Sequence, residues 1–241
     1  MRSFAHLAFA LFLTGASMST ALAQSASQPK LRILALGDSI TSGTRILESY
    51  RYPLWKKLIT GGYAFDFIGS RNTNFDGTPS FLPHDGLDFD RDNEGHWGWR
   101  ADQVLGQLPQ WLRSYTPDVV LLNIGSNDLG AGDTVPKIAT EIGQIIDRLR
   151  NANPSVIILI SNLTPTTGSR RAGHVALGAE IPNIAQRKTT SQSPVQFVDI
   201  ASGYDPAWLA DSIHPNFIGE EFIATRFYDA LSSLVRPNSV P

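Results

Sequence analysis

The sequence predicts an α/β protein, a three-layer sandwich of helices around a five-stranded parallel sheet. Five short apolar runs, Leu31–Leu36, Phe65–Gly69, Asp118–Ile124, Val156–Ile160 and Val195–Asp199, alternate with stretches whose apolar residues recur at helical spacing. Runs of this length without polar alternation read as strands buried on both faces. No two of them are joined by a tight hairpin turn, so each strand is expected to lie parallel to the last, with helices crossing over between them. Right-handed crossovers make the sheet doubly wound.

The first strand stops at Gly37-Asp38-Ser39, a turn of small and polar residues. Tyr50–Thr60 carries Leu54, Trp55, Leu58 and Ile59 on one helical face and ends at Gly61-Gly62, as a helix C-cap does. After the second strand comes a polar loop, Ser70–Trp99, too long for a plain connection. Its aromatics Phe75, Phe81, Phe89 and Trp97 favour an ordered, functional segment. Ala101–Tyr115 is a helix faced by Val104, Leu105, Leu108 and Leu112, and Pro117 resets the chain before the third strand. That strand ends at Gly125-Ser126-Asn127-Asp128. Val135–Asn151 is the next helix; the fourth strand ends at Ser161-Asn162; Ala176–Gln192 is expected to be helical. After the fifth strand, a loop through Asp211-Ser212-Ile213-His214-Pro215 leads to a last helix reaching Val235, with Pro215 suited to its first turn. No repeat or linker interrupts 31–235, so one domain is expected there, followed by a tail at 236–241.

The chain has 241 residues, 42% hydrophobic and 17% charged, enough apolar material for one sizeable core and too much for disorder. Its net charge of −2 and lack of a basic run argue against nucleic acid as a partner. Residues 1–23 read as a signal peptide: Arg2, the apolar stretch Leu7–Leu13, then Ala21-Leu22-Ala23 as the cleavage site. The apolar stretch is short for the ~20 residues of a membrane-spanning helix. Residues 24–30 read as a flexible leader. Without cysteine, the protein has no disulfide, thiolate metal site or cysteine nucleophile. The expected product is exported to the periplasm or beyond, not inserted in a membrane, and monomeric.

In an open parallel sheet, active groups gather past the carboxyl ends of the strands. Ser39, Asn127, Asn162 and the Asp211–His214 loop all follow such ends. Asp211 lies three residues before His214, so one turn puts both on one face. A carboxylate on one imidazole nitrogen leaves the other free to take a proton, which a serine nucleophile requires. The Asn127 amide and the N–H groups of Gly98 and Ser39 are candidate oxyanion donors. Each motif alone has a plainer reading. Gly-Asp-Ser is also a turn or helix cap, Asp-x-x-His is a frequent surface pair, and Trp97 and Trp99 could simply pack the long loop. His84 and His174 are expected to be solvated and His96 structural. A zinc site from His84, Asp85, Asp88 and His96 fits no closed spacing, and neither metal nor cofactor is expected. Ser39-Ile40-Thr41-Ser42-Gly43-Thr44 could instead cradle the phosphate of a flavin, a reading that leaves Asp211, His214 and Asn127 without a role.

Taken together, Gly37-Asp38-Ser39-Ile40, Glu94-Gly95-His96-Trp97-Gly98-Trp99-Arg100, Gly125-Ser126-Asn127-Asp128 and Asp211-Ser212-Ile213-His214-Pro215 resemble the four ordered sequence blocks of the SGNH, or GDSL-like, hydrolases. The resemblance implies a flavodoxin-like fold and ester hydrolysis. It implies Ser39, Asp211 and His214 as triad and Ser39, Gly98 and Asn127 as oxyanion hole. Tyr50–Trp55, Phe65–Ser70 and Glu94–Asp102 look most like secreted carbohydrate esterases that deacetylate xylan; other short-chain lipases, arylesterases and thioesterases of the superfamily are the alternative. Asp38, Trp97, Trp99 and Arg100 are then expected to contact substrate. Trp97 stands where a smaller residue or proline is usual, and Ser212 where glycine is common.

Overall fold

The computed structural model describes residues 30–237; the expected signal peptide, all but Lys30 of the leader, and the end of the tail lie outside the described residues. The sheet runs β2 (Phe65–Ile68), β1 (Leu31–Gly37), β4 (Val119–Asn123), β5 (Ile157–Ser161), β6 (Val195–Val198), every neighbour parallel. These are the five expected strands, with ends shifted by at most one residue. A sixth, β3 (Glu94–Gly95), lies inside the long loop and pairs with the end of β1.

Side chains alternate across each strand and feed two cores. Leu34, Leu36, Val120, Leu122, Ile158 and Ile160 face α3 (Ala101–Trp111), α5 (Val135–Ala152) and α6 (Arg171–Lys188). Ile33, Ala35, Val119, Leu121 and Leu159 face α2 (Arg51–Thr60) and α7 (Phe217–Leu234). Two short helices open at strand ends: α1 (Ser39–Ser42) after β1 and α4 (Ser126–Gly130) after β4.

Three helices differ from expectation: α3 ends at Trp111 rather than Tyr115, α6 ends at Lys188 rather than Gln192, and the starts of α6 and α7 are also displaced. α6 starts at Arg171 rather than Ala176, because His174 is buried and supplies its first inward contact. α7 starts at Phe217, beyond Pro215, because the Asn216 side chain accepts from the N–H groups of Ile218 and Gly219 and caps the helix there. Among the described residues no helix is long and apolar enough to cross a membrane.

The winding reverses between β1 and β4: β2 lies on one side of β1, and the rest of the sheet grows from the other. This is the switch point where open α/β sheets bind ligands. Gly37, Gly95 and Asn123 are in register across it. The Gly37 backbone runs so close to β4 that a Cβ there would sit 2.2 Å from the Asn123 carbonyl oxygen. Ser39, Gly98 and Asn127 follow these three positions within a few residues.

Candidate active site

Ser39 is the first residue of α1, so its N–H lies in the first turn, without an intrahelical acceptor. The His214 Nε2 is 3.0 Å from Ser39 Oγ, and its Nδ1 is 2.7 Å from Asp211 Oδ2. The carboxylate can only accept, so Nδ1 carries the proton and Nε2 is the free base facing the Ser39 hydroxyl. Asp211 Oδ1 also receives the N–H groups of Ile213 and His214. Partial burial pushes the Asp211 carboxyl up, but these hydrogen bonds outweigh it and hold it below the usual carboxylate range.

The other candidates follow the ends of β3 and β4, the strands in register with the end of β1. His96–Trp99 is a tight turn closed by Trp99 N–H on the His96 carbonyl at 3.1 Å. Gly98 takes a φ of +78° there, the left-handed conformation such a turn asks of glycine. Asn127 lies in the first turn of α4, and its amide nitrogen donates to the Trp99 carbonyl at 3.0 Å. A carbonyl accepts only, so this bond fixes the amide orientation and leaves a second N–H to give.

The residues expected to touch substrate are placed less uniformly. Asp38 is 1% exposed and caps α1, accepting from Ile40 N–H at 3.1 Å. Its second oxygen has no partner among the described residues, and burial pushes its carboxyl up to about 7. It therefore shapes the turn that carries Ser39 rather than meeting solvent. Trp99 stacks on His96, and His96 on Trp111, with ring centroids at 4.2 and 4.8 Å; this wedge props the turn from beneath. Arg100 pairs with Asp102 at 3.0 Å. Trp97 lies against the His214 ring, 4.7 Å away and 20° from parallel. Asn162 is spent on structure, bonding Asp199 and the Ile200 N–H.

Two histidine expectations are corrected. His174 is 4% exposed: Nδ1 meets the Thr164 carbonyl and Nε2 the Ser126 hydroxyl, each at 3.0 Å. It thereby links the loop after β5 to the start of α4. His84 is half-buried, 2.9 Å from Thr60 Oγ1 and edge-on to Trp55. Among the described residues no group of three or more His, Cys, Asp or Glu side chains is placed to hold a metal ion.

The groups that hold α1 carry little signal in the sequence. Arg51, 1% exposed, donates to the carbonyls of Thr41, Ser42 and Arg91 and to Asn74 Oδ1 at 2.8–3.1 Å. Ser49 Oγ donates to the Ile40 and Thr41 carbonyls, and its N–H goes to Glu220 at 2.9 Å. The only signal was an arginine among the apolar residues of a helix. A narrow cleft follows, lined by Ser39, Ile40, Gly43, Thr44, Leu47, Trp97, His214, Pro215 and Glu220. A separate apolar cavity of about 380 Å³ lies between the loop after β5 and α6 and contains none of the Ser39–His214–Asp211 chain.

Residues 35–221 match the model of the GDSL-like lipase/acylhydrolase family. The chain belongs to that family. Among solved structures, a family 3 carbohydrate esterase from Clostridium thermocellum is 31% identical with a TM-score of 0.72, over 86% of this chain and 99% of that one. An acetyl esterase crystallised with acetate is 30% identical with a TM-score of 0.75, over 85% and 97%. A multidomain esterase of Ruminococcus flavefaciens is 26% identical over 88% of this chain, which spans only 30% of that relative's length. The fold around the switch point is thus one that GDSL-like esterases share.

Proposed function

We propose that the protein hydrolyses short-chain carboxylic esters through an acyl-enzyme on Ser39, and that its substrate is an O-acetylated carbohydrate such as acetylated xylan. The observation that carries the chemistry is the hydrogen-bonded chain Ser39–His214–Asp211, at 3.0 and 2.7 Å. His214 Nε2 takes the Ser39 proton as Oγ attacks the ester carbonyl. Asp211 holds the imidazole in that tautomer and offsets the imidazolium charge. The N–H groups of Ser39 and Gly98 and the free N–H of Asn127 receive the oxyanion. His214 then gives the proton to the leaving alcohol, and later takes one from the water that attacks the acyl-enzyme.

The substrate reading is supported by likeness to carbohydrate and acetyl esterases at 30–31% identity. The apolar start of the chain supports export as a secreted or periplasmic enzyme.

Ser39→Ala should lower kcat by about 10⁴-fold or more while circular dichroism stays that of the parent. A Ser39→Ala variant with parental turnover refutes the assignment. A panel of acetylated xylan, other acetylated sugars and nitrophenyl esters from C2 to C16 tests the substrate. Acetate release with no long-chain turnover is expected; preference for long chains overturns it.

A further inference from the structure

We propose that Trp97 is a positioning residue for the His214 imidazole. Its indole face holds the ring in the plane that serves Ser39 and Asp211 and favours the imidazolium formed on attack. The proposal rests on the reading of Ser39, His214 and Asp211 given above.

The Cβ–Cγ torsion of a histidine is soft, so something must hold the ring. Two hydrogen bonds do so at rest, one at each nitrogen. Nε2, however, changes partner through the cycle, from Ser39 Oγ to the leaving oxygen to water. Through those exchanges only the Nδ1 bond stays, and its carboxylate is 55% exposed and open to water. A restraint on the ring face does not depend on which atom Nε2 meets. Trp97 supplies it, near-parallel at 4.7 Å, and leaves the His214 side chain 17% exposed.

The indole is itself braced. Phe75 stacks on Trp97 at 4.8 Å and 17°, and the Phe75 N–H donates to the Gly43 carbonyl at 3.0 Å. Gly43 is the residue that ends α1, so the stack is anchored to the nucleophile's own helix. Phe75 is the ring that remains open, 53% exposed. The Trp97 ring is engaged by His214 and Phe75, which leaves Phe75 as the better platform for a sugar. An indole face also attracts a cation. In the proposed cycle the imidazolium forms as Ser39 attacks, so this attraction acts on the transition state more than on bound ester and should appear in kcat.

The experiment compares the parent with Trp97→Met, which keeps bulk without a ring, and Trp97→Phe, which keeps a ring. Each is assayed on nitrophenyl acetate and for the rate at which a fluorophosphonate labels Ser39. The Met variant should lose about 3- to 30-fold in kcat, with KM within about twofold, and should label more slowly in proportion; the Phe variant should recover most of both. Parental kcat in Trp97→Met overturns the proposal. So does a raised KM with unchanged kcat, which makes Trp97 a substrate contact. Equal losses in Met and Phe variants overturn it as well, since packing volume alone would then explain them. Should Trp97→Met not fold, Phe75→Ala at its exposed position carries the test: it should lower kcat in the same sense with KM held, and unchanged kcat refutes the stack. Ser39→Ala is run beside these. If it stays active, the parent reading falls; if it is dead and Trp97→Met is unimpaired, only the role of Trp97 falls.

Discussion

Arg51→Met should cost the protein several kcal/mol although residue 51 touches none of the reacting groups. Arg51 spends its guanidinium on four acceptors: the carbonyls of Thr41, Ser42 and Arg91, and Asn74 Oδ1. The first two are carbonyls at the end of α1, which a helix of this length cannot satisfy internally. Hydrogen bonds to a charged donor are worth roughly 1.5–3 kcal/mol each, so four sum to ~6–12 kcal/mol. Against that, Arg51 is held in a dry site, where burial lowers its pKa to about 10, and removing the charge returns several kcal/mol of desolvation. Water entering the vacated space would satisfy some acceptors. Each acceptor left unpaired costs ~1–3 kcal/mol, and with water re-satisfying some of the four the net loss expected is ~3–5 kcal/mol. At ~2–4 °C per kcal/mol for a domain of this size, Tm should fall by roughly 6–20 °C. Differential scanning calorimetry of parent, Arg51→Met and Arg51→Lys reads this directly, with Lys intermediate because an ammonium cannot reach all four acceptors. A Met variant melting within about 2 °C of the parent would refute the view that these bonds hold the turn carrying Ser39.

Asn127→Ala removes the amide N–H proposed to bind the oxyanion, and kcat should drop by ~10²–10³ with little change in KM; a loss below tenfold on a nitrophenyl ester argues against that role. Glu220 gives a pH prediction. Burial pushes its carboxyl up to about 7, from 4.5, so the folded protein keeps a proton that the unfolded chain has already released. Stability from this group is fully present below about pH 4.5 and is lost as pH rises through about 7. The slope is at most ~1.4 kcal/mol per pH unit. Glu220→Gln keeps an acceptor for the Ser49 N–H, and its Tm should fall less than the parent's between pH 5 and 8; parallel profiles would show that Glu220 does not titrate in this window.

The sheet was readable because a strand buried on both faces has no polar residue to disguise it. Val119–Asn123 and Ile157–Ser161 are such strands, and their turns supplied the site candidates at once. β3 was not readable: two residues have no period, and one of them is Glu94, a carboxylate at 0% exposure. What permits its burial is the Ser70 N–H and hydroxyl, both donating to Oε1 from across the long loop, with His96 Nε2 3.4 Å from Oε2. His174 failed for the same kind of reason. A histidine among Arg171, Ala172 and Gly173 reads as surface until Ser126 and Thr164 are known to stand at its two nitrogens. Trp97 sharpens the distinction. Its type and place in the second block marked it as important, but an aromatic ring can stack on a sugar or on a catalytic side chain with equal ease. The choice depends on which ring occupies its face, and His214 reaches that position from far along the chain through the β6–α7 connection. Backbone periodicity is a local property and survives in the sequence. Which polar or aromatic group meets which is decided by strand order, so the roles of Arg51, His174 and Trp97 became visible only once β1, β3 and β4 stood side by side.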